Sequence, residues 1–194
     1  MDEKLNQHIG AYASRRPQPL GEAFLTVLER DQMRLLRLCA ALEKIADGLP
    51  GSAHQKRTGK VLAFLDKAFS RHLFVHEKCL FPLVRSLEEK NEATETMLRE
   101  LEFEHSADRG LIVEILSAYM GRDSRNTGLE GLGYLLRSFF ENYRRHSVWE
   151  RTALYPIVRT HLVSGTTRKQ HDALLRASIG PNVSDTILRT AALC

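Results

Sequence analysis

Apolar stripes at helical spacing, each interrupted at one level by side chains that bind metals, constrain this chain more than any other feature. Phe24, Leu28, Asp31, Leu35, Leu38, Leu42 and Ile45 recur at alternating steps of four and three, the spacing that keeps residues on one face of an α-helix. A second stripe runs Val61, Leu65, Ala68, His72, His76, Cys79, Leu83. A third carries Met97, Leu101, His105, Ile112, Ile115 and Tyr119, and a fourth Leu132, Leu135, Phe139, Tyr143, His146, Glu150 and Ile157. Six core-facing positions are therefore polar: Asp31, His72, His76, His105, His146 and Glu150. Charged and imidazole groups facing a bundle core are costly unless paired, and a bound cation pairs many of them at one level.

Helix signals place the first helix from Pro19–Glu22 to Asp47, where the breakers Asp47-Gly48-Leu49-Pro50-Gly51 stop it. The second is predicted over Gln55–Lys90, the third over Glu92–Met120 and the fourth over Leu129–His161, with the loop GRDSRNTG before the last. Pro82 and Pro156 fall inside the second and fourth spans, where a missing donor and a ring clash should kink the helix or shift its last turns. Long helices on short loops pack as antiparallel neighbours. The expected fold is thus all-α, an up-down antiparallel four-helix bundle over residues 19–162. A weakly patterned tail, 1–18, precedes it, and an extension, 163–194, follows with a short helix near Lys169–Ser178. At about 1.5 Å per residue, counting to each turn brings Asp31 level with His72, His76 level with His105, and His105 within a turn of His146.

The remaining features mostly exclude. Hydrophobic residues at 43% and charged residues at 27% are ordinary for a globular domain, and no apolar run approaches the roughly 20 residues a membrane helix needs. The first residues contain acidic groups and no hydrophobic segment, so they do not read as a secretory signal, and a cytoplasmic location is expected. Cys39, Cys79 and Cys194 show no CxxC spacing, which speaks against a disulfide framework or thiolate zinc site; Cys39 and Cys79 are expected to be small core residues. A net charge of +4 with no long basic run does not suggest nucleic acid. No nucleophile triad or phosphate loop is visible, and GLEGLG at Gly128 to Gly133 lacks a preceding strand.

A spacing of four puts His72 with His76, and His146 with Glu150, on one helix face one turn apart. Imidazole and carboxylate donors together suit iron, manganese or zinc, and a carboxylate can bridge two ions. Around these residues, Glu77 is expected to face solvent and Glu104 to lie at the surface or behind a ligand. Asp108 is expected to orient a ring nitrogen or pair with Arg109. Tyr143 and Trp149 read as packing groups, and His8, His54, His161 and His171 as solvated.

The segments RHLFVHEKCLFPLVR, FEHSADRGL and RRHSVWERTALYPIVR resemble the motifs of the hemerythrin-like, or HHE cation-binding, domain over approximately residues 20 to 162. The resemblance implies a four-helix bundle around a non-haem di-iron centre with bridging carboxylates and an open coordination position. His72, His105, His146 and Glu150 stand where the family places ligands. Two positions depart: Asp31 replaces a first-helix histidine, and His76 replaces a bridging glutamate, an exchange that leaves four histidines and two carboxylates. Arg109 stands where hemerythrins proper place a second third-helix histidine.

The expected function is a metal-binding protein, with iron in two ions as the first expectation and manganese or zinc as alternatives, that senses or binds oxygen, nitric oxide or redox state. Signal output would pass to a regulatory protein partner. The rival readings are a di-iron oxidase or a peroxide- or nitric-oxide-consuming enzyme, and an interaction module whose metal site is altered or lost.

Overall fold

The computed structural model describes residues 20–49, 55–88, 91–121 and 128–162, together with Ala173, Leu175 and Arg176. Its elements are α1 (Leu20–Asp47), α2 (Gln55–Val75), a π turn π1 (His76–Leu80), α3 (Phe81–Leu87), α4 (Glu92–Tyr119), α5 (Gly128–Trp149), a second π turn π2 (Glu150–Leu154) and α6 (Tyr155–Leu162). They form four rods: α1, the continuous α2–π1–α3, α4, and the continuous α5–π2–α6. The predicted helix limits hold to within a few residues. Most of the predicted C-terminal helix, and His8, His54 and His171, lie outside the described residues. Of the extension, Leu175 is buried against the apolar cluster that contains Leu20 and Phe24.

Local chemistry explains the ends. Asn91 precedes α4 in an extended conformation and its side chain accepts from the Thr94 N–H at 3.1 Å, while Glu92 and Glu95 occupy the first turn. An Asn cap satisfies one orphan donor, and early acidic residues favour the positive helix end.

The two prolines follow widened turns, which shift the last turns of their rods as expected. The Phe81 N–H donates to the His76 carbonyl and the Tyr155 N–H to the Glu150 carbonyl, five residues back instead of four. Pro82 and Pro156 follow immediately. A proline lacks the donor for the residue four before it and its ring presses on that carbonyl; a π turn relieves both. Each wide turn begins at one of the six polar stripe residues.

Each rod packs on two neighbours, α1 on α2 and α5, and α4 on α2 and α5. Ion pairs show the antiparallel sense of the first and fourth rods: Arg137 reaches Asp47 at 2.7 Å, whereas Arg159, further along, reaches Glu29 at 2.8 Å. The stripes bury as two apolar clusters. One gathers Leu20, Phe24 and Leu28 with Leu80, Phe81, Leu83, Leu101, Leu154 and Val158. The other gathers Leu35, Leu42, Leu65, Phe69, Ile115, Leu132 and Phe139. Cys39 and Cys79 are buried free thiols within these clusters. The six polar positions lie where each rod passes from one cluster to the other, so the core is two apolar halves on either side of a polar layer.

Candidate metal centre

All six sequence-predicted residues come together in that layer, each with no more than 1% of its surface exposed. Its focus is one oxygen, Oε1 of Glu150. His76 Nδ1 lies 2.6 Å from it, His146 Nε2 3.1 Å, His72 Nε2 3.6 Å and His105 Nε2 3.9 Å. Donor atoms of His72, His105, His146 and Glu150 all lie within 4.8 Å of one another. Asp31 sits beside this group, with Oδ2 3.4 Å from His72 Nδ1.

Gln32 and two carboxylates beyond the six also belong to the arrangement. Glu104 Oε2 accepts from His146 Nδ1 at 2.8 Å. Glu77, expected to face solvent, is only 25% exposed and stands 3.3 Å from His105 Nδ1, because the π turn swings it toward α4. Gln32, which the stripes do not single out, is buried; its Nε2 donates to the Ser147 carbonyl at 2.8 Å and to Glu150 Oε2 at 3.4 Å. Its only sequence signal is a polar residue four after Leu28 on an otherwise apolar face. Arg109 pairs with Glu77 at 3.3 Å and not with Asp108, which is buried and whose carboxyl burial pushes up to about 7.

Aromatic rings close the layer. Phe69 stacks on His72 at 5.8 Å between centroids, Phe81 on His105 at 5.4 Å and Tyr143 on His146 at 6.0 Å. Tyr143 is a packing group as expected, whereas Trp149 is exposed. His161 is partly exposed, as expected, and also pairs with Glu88 at 2.8 Å.

The electrostatics separate the imidazoles. Burial lowers His72, and the adjacent His76 adds to the effect against Glu150 and Asp31. His105 is pushed down to about 3, chiefly by burial, against the pull of Glu150. For His146, burial is outweighed by the hydrogen bonds and charges of Glu104 and Glu150, which raise it to about 9. Burial would raise Glu150, yet the surrounding imidazoles, His76 and His72 foremost, hold it well below the usual carboxylate range.

The residues fit a metal ion on a test internal to the structure. Both ring nitrogens of His72, His76 and His105, Nε2 of His146, Oε1 of Glu150 and both oxygens of Asp31 are buried and form no hydrogen bond of acceptable geometry. Native proteins seldom leave such groups unsatisfied, and a bound ion is a recognised reason for one. Lone pairs converging on a common point at contacts of 2.6–3.9 Å suit a cation, because two donors each about 2.1 Å from an ion stand roughly 3 Å apart. Neutral imidazole with one carboxylate and no thiolate is a borderline donor set that suits iron, manganese or zinc.

Comparison with known proteins agrees. No curated protein and no solved structure gives a significant match. A family model, the hemerythrin HHE cation binding domain, matches residues 23–158, a span that takes in all but the outermost few residues of the four rods and every residue of the polar layer. The chain belongs to the hemerythrin HHE cation-binding domain family.

Proposed function

We propose that this chain binds a non-haem metal, iron in the first instance, and uses it to bind or sense oxygen, nitric oxide or redox state. The observation that supports this reading is the convergence of four imidazole nitrogens on the one buried Glu150 oxygen, at 2.6 to 3.9 Å. When bound, iron would supply a redox-active Lewis acid able to take a diatomic ligand. The protein does the rest. His72, His105 and His146 offer nitrogen donors, Glu150 offers a charge that offsets a divalent ion, and His76 and Asp31 complete the buried layer. Phe69, Phe81 and Tyr143 stack on three of the imidazoles, fixing the rings and excluding water. The Tyr143 and Tyr155 hydroxyls are kept protonated, chiefly by burial and then by Glu150. Both make no hydrogen bond within the described residues.

No helix among the described residues is long and apolar enough to cross a membrane. We place the protein in the cytoplasm, where a change at the centre would be relayed through the rod ends to a protein partner.

Iron-loaded protein tests this reading. Purified anaerobically and then exposed to oxygen or nitric oxide, it should develop a charge-transfer band that reverses when the gas is removed. Sustained consumption of oxygen, peroxide or nitric oxide with a reductant would instead establish the enzymatic reading. Iron-free protein whose spectrum ignores all three would overturn both.

A further inference from the structure

One three-part arrangement occurs three times around the polar layer. Asp31 on the first rod faces His72 Nδ1 on the second at 3.4 Å, and Arg71, the residue before that histidine, approaches Asp31 at 3.7 Å. Glu77 on the second rod faces His105 Nδ1 on the third at 3.3 Å, and Arg109, one turn beyond, approaches Glu77 at 3.3 Å. Glu104 on the third rod faces His146 Nδ1 on the fourth at 2.8 Å, and Arg145, the residue before that histidine, approaches Glu104 at 3.5 Å. In each case histidine and arginine share a rod, and the carboxylate comes from the rod before it in the chain.

Exposure falls inward in all three. The arginine side chains are 43%, 54% and 70% exposed, the carboxylates 1%, 25% and 25%, and the histidines 1% or less. A neutral imidazole has one ring proton, and a carboxylate beside Nδ1 keeps it there and leaves the Nε2 lone pair free. All three Nε2 atoms face Glu150 Oε1.

The fourth junction, between the last rod and the first, completes the logic with the opposite chemistry. The ligand-type residue there is a carboxylate, Glu150, which needs a donor behind it and not an acceptor. Gln32 supplies that donor, with Nε2 3.4 Å from Glu150 Oε2. His76 has no flanking arginine and stands outside the pattern.

We propose that Asp31, Glu77 and Glu104 are positioning residues for the Nδ1 proton of a histidine of the next rod: Glu104 hydrogen-bonds His146 Nδ1 at 2.8 Å, and Asp31 and Glu77, which face Nδ1 of His72 and His105 at 3.4 and 3.3 Å without hydrogen-bond geometry here, close on that proton when an ion is bound. The centre so built takes one metal ion, on Nε2 of His72, His105 and His146 and on Glu150. The inference rests on the metal-binding reading above and deepens it. Asp31 lies 3.4 Å from His72 Nδ1, 3.7 Å from Arg71 and 3.8 Å from Arg34, and gives no atom to the four-residue donor group. Two ions about 3.5–4 Å apart need two donor sets, and with Asp31 outside the donor group only His76 remains, of the six polar-layer residues, for a second.

The test is Co²⁺ binding to the full chain by chelator competition, with the ligand-field spectrum, and ¹⁵N spectra of histidine side chains in the Zn²⁺ form. Wild type should take one Co²⁺ per chain and show three rings with protonated Nδ1 and coordinated Nε2. Asp31→Asn, Glu77→Gln and Glu104→Gln should each still take one ion with the ligand-field bands in place, at an affinity lowered roughly 10–100-fold. Each should also shift the Nδ1–H signal of its own histidine, and Glu104→Ala should lose more than Glu104→Gln. Glu102→Gln, on the same helix but paired with Arg85 at 3.0 Å, controls for a general effect of charge loss and should leave affinity unchanged. Two ions per chain, loss of an ion or displaced bands in Asp31→Asn, coordination through Nδ1, or unaltered affinity in the three variants would overturn the inference while leaving metal binding intact. Wild type that takes no Co²⁺ would overturn the metal reading itself.

Discussion

His76 Nδ1 lies 2.6 Å from Glu150 Oε1, and each of these residues opens a five-residue π turn that ends at an aromatic-proline pair. The two irregularities in the bundle thus face one another across the polar layer. A π turn inserts one extra residue into a helix and commonly marks a functional site. Here it permits a proline just beyond each of two buried polar groups.

Glu150→Gln should therefore hit metal binding hardest. The amide keeps the shape but removes the one negative charge on which the imidazoles converge, and stranding a buried charge costs about 3–5 kcal/mol. Co²⁺ affinity is expected to drop by roughly a hundredfold or more, measured by chelator competition at pH 7.5. Preserved affinity would show that the ion does not sit on Glu150.

Pro82→Ala tests the wide turn. It restores an N–H and removes the ring clash, so the turn can close to a regular helix, and a one-residue change of phase turns side chains by about 100°. The expected outcome is Co²⁺ affinity weakened roughly tenfold, as for other losses of ligand orientation, with the melting temperature of the metal-free protein unchanged or higher. Loss of stability at unchanged affinity would contradict this account of the proline.

The stability of the metal-free protein should peak near pH 6.5. His105, pushed down to about 3, stays neutral in the fold where the unfolded chain would take up a proton, so its contribution is present above pH 6.5 and lost as pH falls toward 3. His146, raised to about 9, holds a proton that the unfolded chain has lost, so its contribution is full below pH 6.5 and lost as pH rises through 9. Urea unfolding of chelator-treated protein from pH 4 to 9 should trace this two-sided decline, and Glu104→Gln should flatten the alkaline side.

Metal affinity should show the opposite trend on that side. The ion competes with the extra proton on His146, so binding near neutral pH should release a proton and affinity should climb about tenfold per pH unit until roughly pH 9. Titration calorimetry in buffers of different ionisation enthalpy reads the proton count. No linked proton at pH 7.5 would mean that His146 is not displaced.

The all-α architecture, the rod limits and the polar level were legible in the sequence because stripe spacing and breakers report helices directly. Phe24, Leu28, Leu35, Leu65, Leu101 and Phe139 are buried where their stripes place them. Beyond the prolines the reading slips. Ile157 continues the fourth stripe in regular phase, yet Tyr155 and Val158 take the fully buried places and Ile157 is only partly covered. The extra residue of a π turn has no periodic signature, so the shift was visible only as a proline in an awkward position. The same shift hides Glu77, whose place after His76 in a regular helix would point it outward. Gln32 escaped because a single buried amide beside a stripe looks like any surface polar residue until its partner on another rod is known.

The central claim is a buried metal centre, and anomalous diffraction from metal-loaded crystals at the absorption edge of the bound element tests it most directly. The account predicts one anomalous peak per chain, within bonding distance of Nε2 of His72, His105 and His146 and of a Glu150 oxygen. A pair of peaks bridged through Asp31 would contradict the single-ion centre, and the absence of any peak in the polar layer would contradict the metal centre altogether.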